Sequence, residues 1–151
     1  LDYLNKASKS EAIKRLPSYN AFIYLNRSLI YYYEDNYKES QKNIARLIMQ
    51  EDFLLLDKSF QLKILVTELM IRISISNKNL NDKIIHIKKD YKSLLLEKHH
   101  IREKKMIDLI FKNIHNDDIE VDKQVLLSIM SDSDSEDIDI ISYNDWLREL
   151  I

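Results

Sequence analysis

The chain has 151 residues, enough for a domain with a buried core, and no Gly, no Cys and one Pro, Pro17. Without Cys there are no disulfides, thiolate zinc sites or Cys nucleophiles; without Gly, phosphate-cradling loops and hairpin-rich β folds are disfavoured. The formal net charge of −2 hides an asymmetry: residues 1–115 carry 21 Lys and Arg against 14 Asp and Glu, and residues 116–151 carry 2 against 11.

The first helix is expected over 2–16, with Leu4, Ile13 and Leu16 as its sparse apolar residues. Pro17 ends it, since proline lacks the helical N–H and restricts the residue before it. Ser18 is the expected N-cap of a helix over 19–34, on which Phe22, Leu25, Leu29 and Tyr33 line one side and Ile23, Ile30 and Tyr31 widen the arc. A polar break, Glu34-Asp35-Asn36, leads into a helix over 37–50 with Tyr37, Ile44, Leu47 and Ile48 on one face. Lys38, Lys42 and Arg46 occupy its other face at i, i+4 spacing. In a chain without Gly, Asn36, Asn77, Asn79 and Asn116 are expected to supply the left-handed turn positions.

Asp57 caps a long helix running to about Ser76. Its apolar residues fall on two sides, Leu62, Leu65, Val66, Leu69 and Ile73 on one and Ile64, Ile71 and Ile75 on the other, so it should be the most buried element. Helical periodicity continues over 81–98, 101–115 and 121–130. Residues 131–141 form an acidic linker, and 142–151 a capping mini-helix started by Ser142, with Tyr143, Trp146, Leu147 and Leu150 on one face. Trp146 reads as a plug docked against the last helix pair. The expected fold class is all-α: seven or eight helices without a sheet, in one domain whose body is 1–130.

The stretch from Tyr24 to Leu47 resembles a tetratricopeptide repeat. Tyr24, Ser28, Tyr31, Asn36-Tyr37, Ser40, Ile44 and Leu47 fall at that motif's spacing, with Ser28 and Ser40 at its small positions and Tyr31 and Tyr37 at its aromatic ones. Three positions depart from the pattern: Arg27 replaces the usual Leu, Asp35 the usual Gly and Asp52 the usual Pro. A degenerate second copy turns at Asn77–Leu80; Tyr37 and Leu80 are 43 residues apart, against the ~34 of the standard repeat. The overall style is similar to tetratricopeptide-like helical proteins of Bacteroidota. The resemblance implies a short α-solenoid of antiparallel helix pairs and a protein-interaction scaffold. Its partner, another protein or a second copy, would lie on the concave face, where Leu25, Leu29, Tyr32 and Tyr33 match the groove-lining positions. The competing reading buries those residues against a neighbouring helix.

The alternative is a nucleic-acid-binding module using the basic surface Lys88, Lys89, Lys92, Arg102, Lys104 and Lys105. Asp90, Glu97 and Glu103 interrupt its charge. The acidic segment would then mask the body, or serve only as a solvated linker. No metal or cofactor site is expected: His86, His99, His100 and His115 lack ligand spacing. The tract from Asp132 has Asp137 and Tyr143 where a calcium loop needs Gly and Glu. Ser131, Ser133 and Ser135 read as a solvated linker rather than acid-directed phosphorylation sites. No carboxylate pair or Ser/His/Asp arrangement announces an enzyme. No run reaches the ~18 apolar residues of a membrane span, no signal peptide is visible, and the absence of Cys fits a cytoplasmic protein. The chain opens on Leu1 rather than Met, so it reads as a fragment whose upstream segments stay open.

Overall fold

The computed structural model describes residues 1–15, 18–76, 79–114, 123–131 and 138–149. Among these the chain is all-helical, with ten α-helices and no strand, where periodicity predicts seven or eight helices. They are α1 (Asp2–Ala7), α2 (Glu11–Lys14), α3 (Tyr19–Tyr33), α4 (Tyr37–Ile48), α5 (Glu51–Leu55), α6 (Lys58–Ser74), α7 (Asn81–Asp90), α8 (Ile101–Ile114), α9 (Lys123–Ser131) and α10 (Tyr143–Glu149). Two single 3-10 turns, Leu94–Leu96 and Lys98–His100, lie between α7 and α8. Contacts divide the chain into two compact units, Leu1–Gln61 and Leu62–Ile151, with the boundary inside α6.

In the first unit α3 packs most extensively on α4 and also meets α1, α2 and α5. The expected helix over 2–16 is broken: the Ser8 hydroxyl donates to the Asn5 carbonyl at 2.8 Å, competing with the backbone ladder, and α2 begins after Ser10. Pro17 and Asn77 lie outside the described residues, as do Asn116, His115, Leu150 and the acidic tract 132–137. Ser18, Asp35 and Ser76, not asparagines, take the left-handed conformation among the described residues, with φ of 58°, 57° and 56°. Asn36 instead caps α4, its side chain accepting from the Glu39 N–H at 3.4 Å. Asp35 therefore adopts the conformation for which the resembled motif uses Gly.

α5 has no periodic signal. It is one turn inserted before α6, held by Gln61, whose amide donates to the Leu56 carbonyl at 2.8 Å and the Leu54 carbonyl at 3.4 Å. Asp57 caps α6 as expected, accepting from the Ser59 and Phe60 N–H groups at 2.9 and 3.3 Å.

Every residue of α6 from Gln61 to Ile71 is buried, so the most buried element lies where its two apolar faces place it. Burial includes charge. Glu68 is 0 % exposed and is clamped by the Arg72 guanidinium at 2.9 Å and by the Lys83 ammonium from α7. Lys63 reaches the Ile138 carbonyl at 3.1 Å, and the Thr67 hydroxyl returns to the Lys63 carbonyl at 2.9 Å. In this second unit α8 packs against α7, α9 and both 3-10 turns, and α10 against α9. Ile84, Met106, Ile107, Ile129, Tyr143 and Leu147 are fully buried there. The helix expected over 81–98 ends at Asp90; beyond it the chain tightens into 3-10 geometry, which keeps Leu95 buried and leaves Leu96 73 % exposed.

Candidate interaction surfaces

The α3–α4 pair approaches closely because two small residues face each other. The Ser28 hydroxyl donates to the Ser40 carbonyl at 2.9 Å, the Ser40 hydroxyl donates to the Ser28 carbonyl at 2.8 Å, and the two oxygens lie 3.1 Å apart. Both serines are 0 % exposed. A branched aliphatic side chain at either position would push the helices apart. This contact sets the phase of α3. Ala21, Leu25, Ser28 and Tyr32 recur at helical spacing and form its buried face, where the Tyr32 ring meets the Tyr37 ring at 5.4 Å.

Two of the four expected groove residues, Leu25 and Tyr32, are therefore core. Leu29 is half-buried and Tyr33 is exposed. The last two share a second face of α3 with Phe22 and Asn26, at i, i+4, i+7 and i+11. Phe22 is 48 % and Tyr33 68 % exposed, so this face shows two aromatic rings to solvent. Phe22 is steadied by Phe60, ring centroids 6.4 Å apart, and Tyr33 stands edge-on to Tyr32 at 5.4 Å. Phe22 was visible in the sequence as apolar and helical in phase, but nothing there distinguished its face from the core.

Arg27, the departure from Leu, ties α3 to α1: its guanidinium donates to the Asn5 side-chain oxygen at 2.9 Å and the Ser8 hydroxyl at 3.5 Å. With Tyr19, Tyr24 and Lys14 it lines a polar depression of about 300 Å³.

The six cations of the basic stretch separate in the fold. Lys89, Lys92 and Lys104 are exposed. Lys88 pairs with Asp108 at 2.7 Å and lies over the Phe111 ring at 4.9 Å, and Lys105 reaches the Ser128 carbonyl at 3.5 Å. Arg102 is not on the surface at all. It is 5 % exposed and clasps Asp139 through two nitrogens at 2.8 and 3.2 Å. It also donates to the Ile129 carbonyl at 3.3 Å and the Asn144 side chain at 3.4 Å, and its guanidinium stacks over the Tyr143 ring at 5.1 Å. Asp139 in turn accepts the first N–H of α10, from Tyr143, at 3.1 Å. Part of the acidic segment is thus joined to the basic stretch by a buried ion pair.

Tyr143 donates from its hydroxyl to Glu103 at 3.3 Å, and His100 lies 3.6 Å from the other Glu103 oxygen. Burial first, then the charges of Glu103 and Asp139, raise the Tyr143 hydroxyl well above its usual pKa of 10. Trp146 is 2 % exposed on the same short helix, packed inward as a plug.

Among the described residues no three His, Asp or Glu side chains converge as metal ligands, and no helix is long and apolar enough to cross a membrane. His99 is exposed and His100 buried, while the His86 ring nitrogen contacts the Asp82 carbonyl of its own helix at 2.6 Å. Comparison of the chain with family models, with curated proteins and with solved structures finds no match in any of the three.

Proposed function

We propose that the protein is a non-enzymatic helical scaffold of tetratricopeptide-like type. It would receive a peptide or helix of a protein partner on the solvent-facing side of α3. The observation that carries this reading is the face Phe22, Asn26, Leu29 and Tyr33, whose two aromatic rings remain in water although α3 has a separate, fully buried face. Large apolar side chains on one exposed helix face serve as anchors for another helix or strand, and aromatic rings order with little loss of rotamer freedom. The reciprocal Ser28–Ser40 contact and the left-handed Asp35 support the resemblance, because both fall at positions where that motif needs a small residue or a Gly.

The test compares the wild-type chain with the Phe22→Ala/Tyr33→Ala double variant as bait in affinity capture, alongside light scattering for self-association. The reading expects a set of bound proteins, or a dimer, that the double variant loses while its circular dichroism is unchanged. Identical capture and identical mass for the two baits would overturn it.

A further inference from the structure

We infer that the second unit carries a binding site for aliphatic carboxylates, at a pocket distinct from the α3 face. The pocket has a volume of about 190 Å³ and lies where the end of α7, the first 3-10 turn and α8 meet. Its apolar surface comes mainly from Leu96, with Leu95 beside it and the fully buried Ile107 beneath, and its rim from Lys88, Lys92, Lys104 and Asp108.

Charge selects the head group. Asp108 is engaged by Lys88 at 2.7 Å, which leaves that pair neutral. Lys92 and Lys104 have no carboxylate partner among the described residues, so the rim presents two unneutralised ammonium groups beside an apolar hollow. Like charges gathered at one mouth repel, and an anion between them relieves that repulsion. Volume selects the tail. At a water's ~30 Å³ share, the space takes about six heavy atoms, a short aliphatic chain rather than a nucleotide or a drug-sized ring system. Burying that chain against Leu96 and the exposed edge of Leu95 supplies the apolar contribution, while the carboxylate stays at the rim, where ammonium groups on flexible stems can reach it. A phosphate backbone would gain nothing from the apolar hollow.

The experiment titrates octanoate into the full chain, following backbone amide shifts and taking the dissociation constant at about 0.1 M salt. Acetate and octylammonium serve as probes lacking the tail and the negative head. The expected result is saturable binding of octanoate centred on Leu96 and Ile107, at least about tenfold tighter than either control. Lys92→Glu/Lys104→Glu should weaken octanoate about tenfold or more, and Leu96→Asp, at an exposed lining position, should do the same. Lys89→Glu, exposed on α7 but outside the lining, should leave it within about twofold. Equal binding of acetate would reduce the site to charge alone, and equal binding of octylammonium to apolarity alone; either overturns the proposal. So would a Lys89→Glu effect as large as that of the rim variants. An oligothymidylate that binds the same lysines while octanoate does not would instead assign them to nucleic acid.

Discussion

The Arg102–Asp139 pair offers the most exposed test of how the second unit is held together. In Asp139→Ala the guanidinium stays in a site where it is 5 % exposed, with the Ile129 carbonyl and the Asn144 oxygen, both beyond 3.2 Å, as its remaining acceptors. Removing one partner of a buried pair costs about 3–5 kcal/mol, because the surviving charge keeps its desolvation penalty. The Asp139 side chain is itself 14 % exposed, so water can partly replace it, which points to the lower end of that range. The same substitution removes the acceptor for the Tyr143 N–H at the start of α10, a capping loss of about 1 kcal/mol. The sum is about 4 kcal/mol, a fall in midpoint of roughly 8–16 °C for a chain of this size. Trp146, the sole tryptophan and buried on α10, reports the unit directly by fluorescence in a urea titration. The pairing argument also predicts that Arg102→Met/Asp139→Leu recovers most of the loss, since it removes both charges. A cost below about 1 kcal/mol for Asp139→Ala, the value of an exposed pair, would show that the clasp is not desolvated and would refute the reasoning.

Ser28→Ala should cost less than about 1 kcal/mol, because the lost hydrogen bond is partly offset by the better helix propensity of Ala, whereas Ser28→Leu should cost about 1–3 kcal/mol or more by parting α3 from α4; urea midpoints of the two variants decide. Asp35→Gly, which frees the left-handed residue of its Cβ penalty but loosens the unfolded chain, should leave thermal stability unchanged or slightly raised, and Asp35→Val should lower it by about 1–2 kcal/mol. The raised Tyr143 hydroxyl predicts a pH effect of definite sign. Below pH ~10 folded and unfolded chains both keep the proton and stability is constant; above it only the unfolded chain releases it, so stability falls by up to about 1.4 kcal/mol per pH unit until the folded pKa is reached. Tyr143→Phe, compared by chemical denaturation between pH 9 and 11, should flatten that slope.

The main helices were legible from periodicity and polar breaks: α3, α4, α6, α8 and α10 lie within a few residues of the expected ranges, and Asp57 and Ser142 cap α6 and α10, whereas Ser18 precedes α3 in the left-handed conformation without a side-chain cap. Features set by a single local hydrogen bond or by tertiary packing were not legible. The break after Ala7 depends on the Ser8 hydroxyl, and α5 on the amide of Gln61, neither of which leaves an apolar pattern. On α3, Phe22 and Tyr33 line up in the sequence with Leu25 and Leu29 on one side, yet the small Ser28 determines which face closes on α4 and leaves the two aromatic rings exposed. Charged residues misled in the opposite direction. Arg102 and Glu103 sit in a stretch that reads as a charged surface, but each finds a partner at long range, and sequence order does not reveal such pairings.

The Lys63–Ile138 hydrogen bond has a consequence for how the chain is made. Its partners are 75 residues apart, and the clasp on Arg102 likewise waits for Asp139 and α10. The α3–α4 contact spans only 12 residues. Emerging from a ribosome at ~5–20 residues per second, α3 and α4 can pair almost at once, whereas α6 must wait roughly 4–15 s for the segment that satisfies Lys63. For that interval a helix with apolar residues on two sides stands incompletely covered, so the second unit should be the part of the nascent chain on which a chaperone acts.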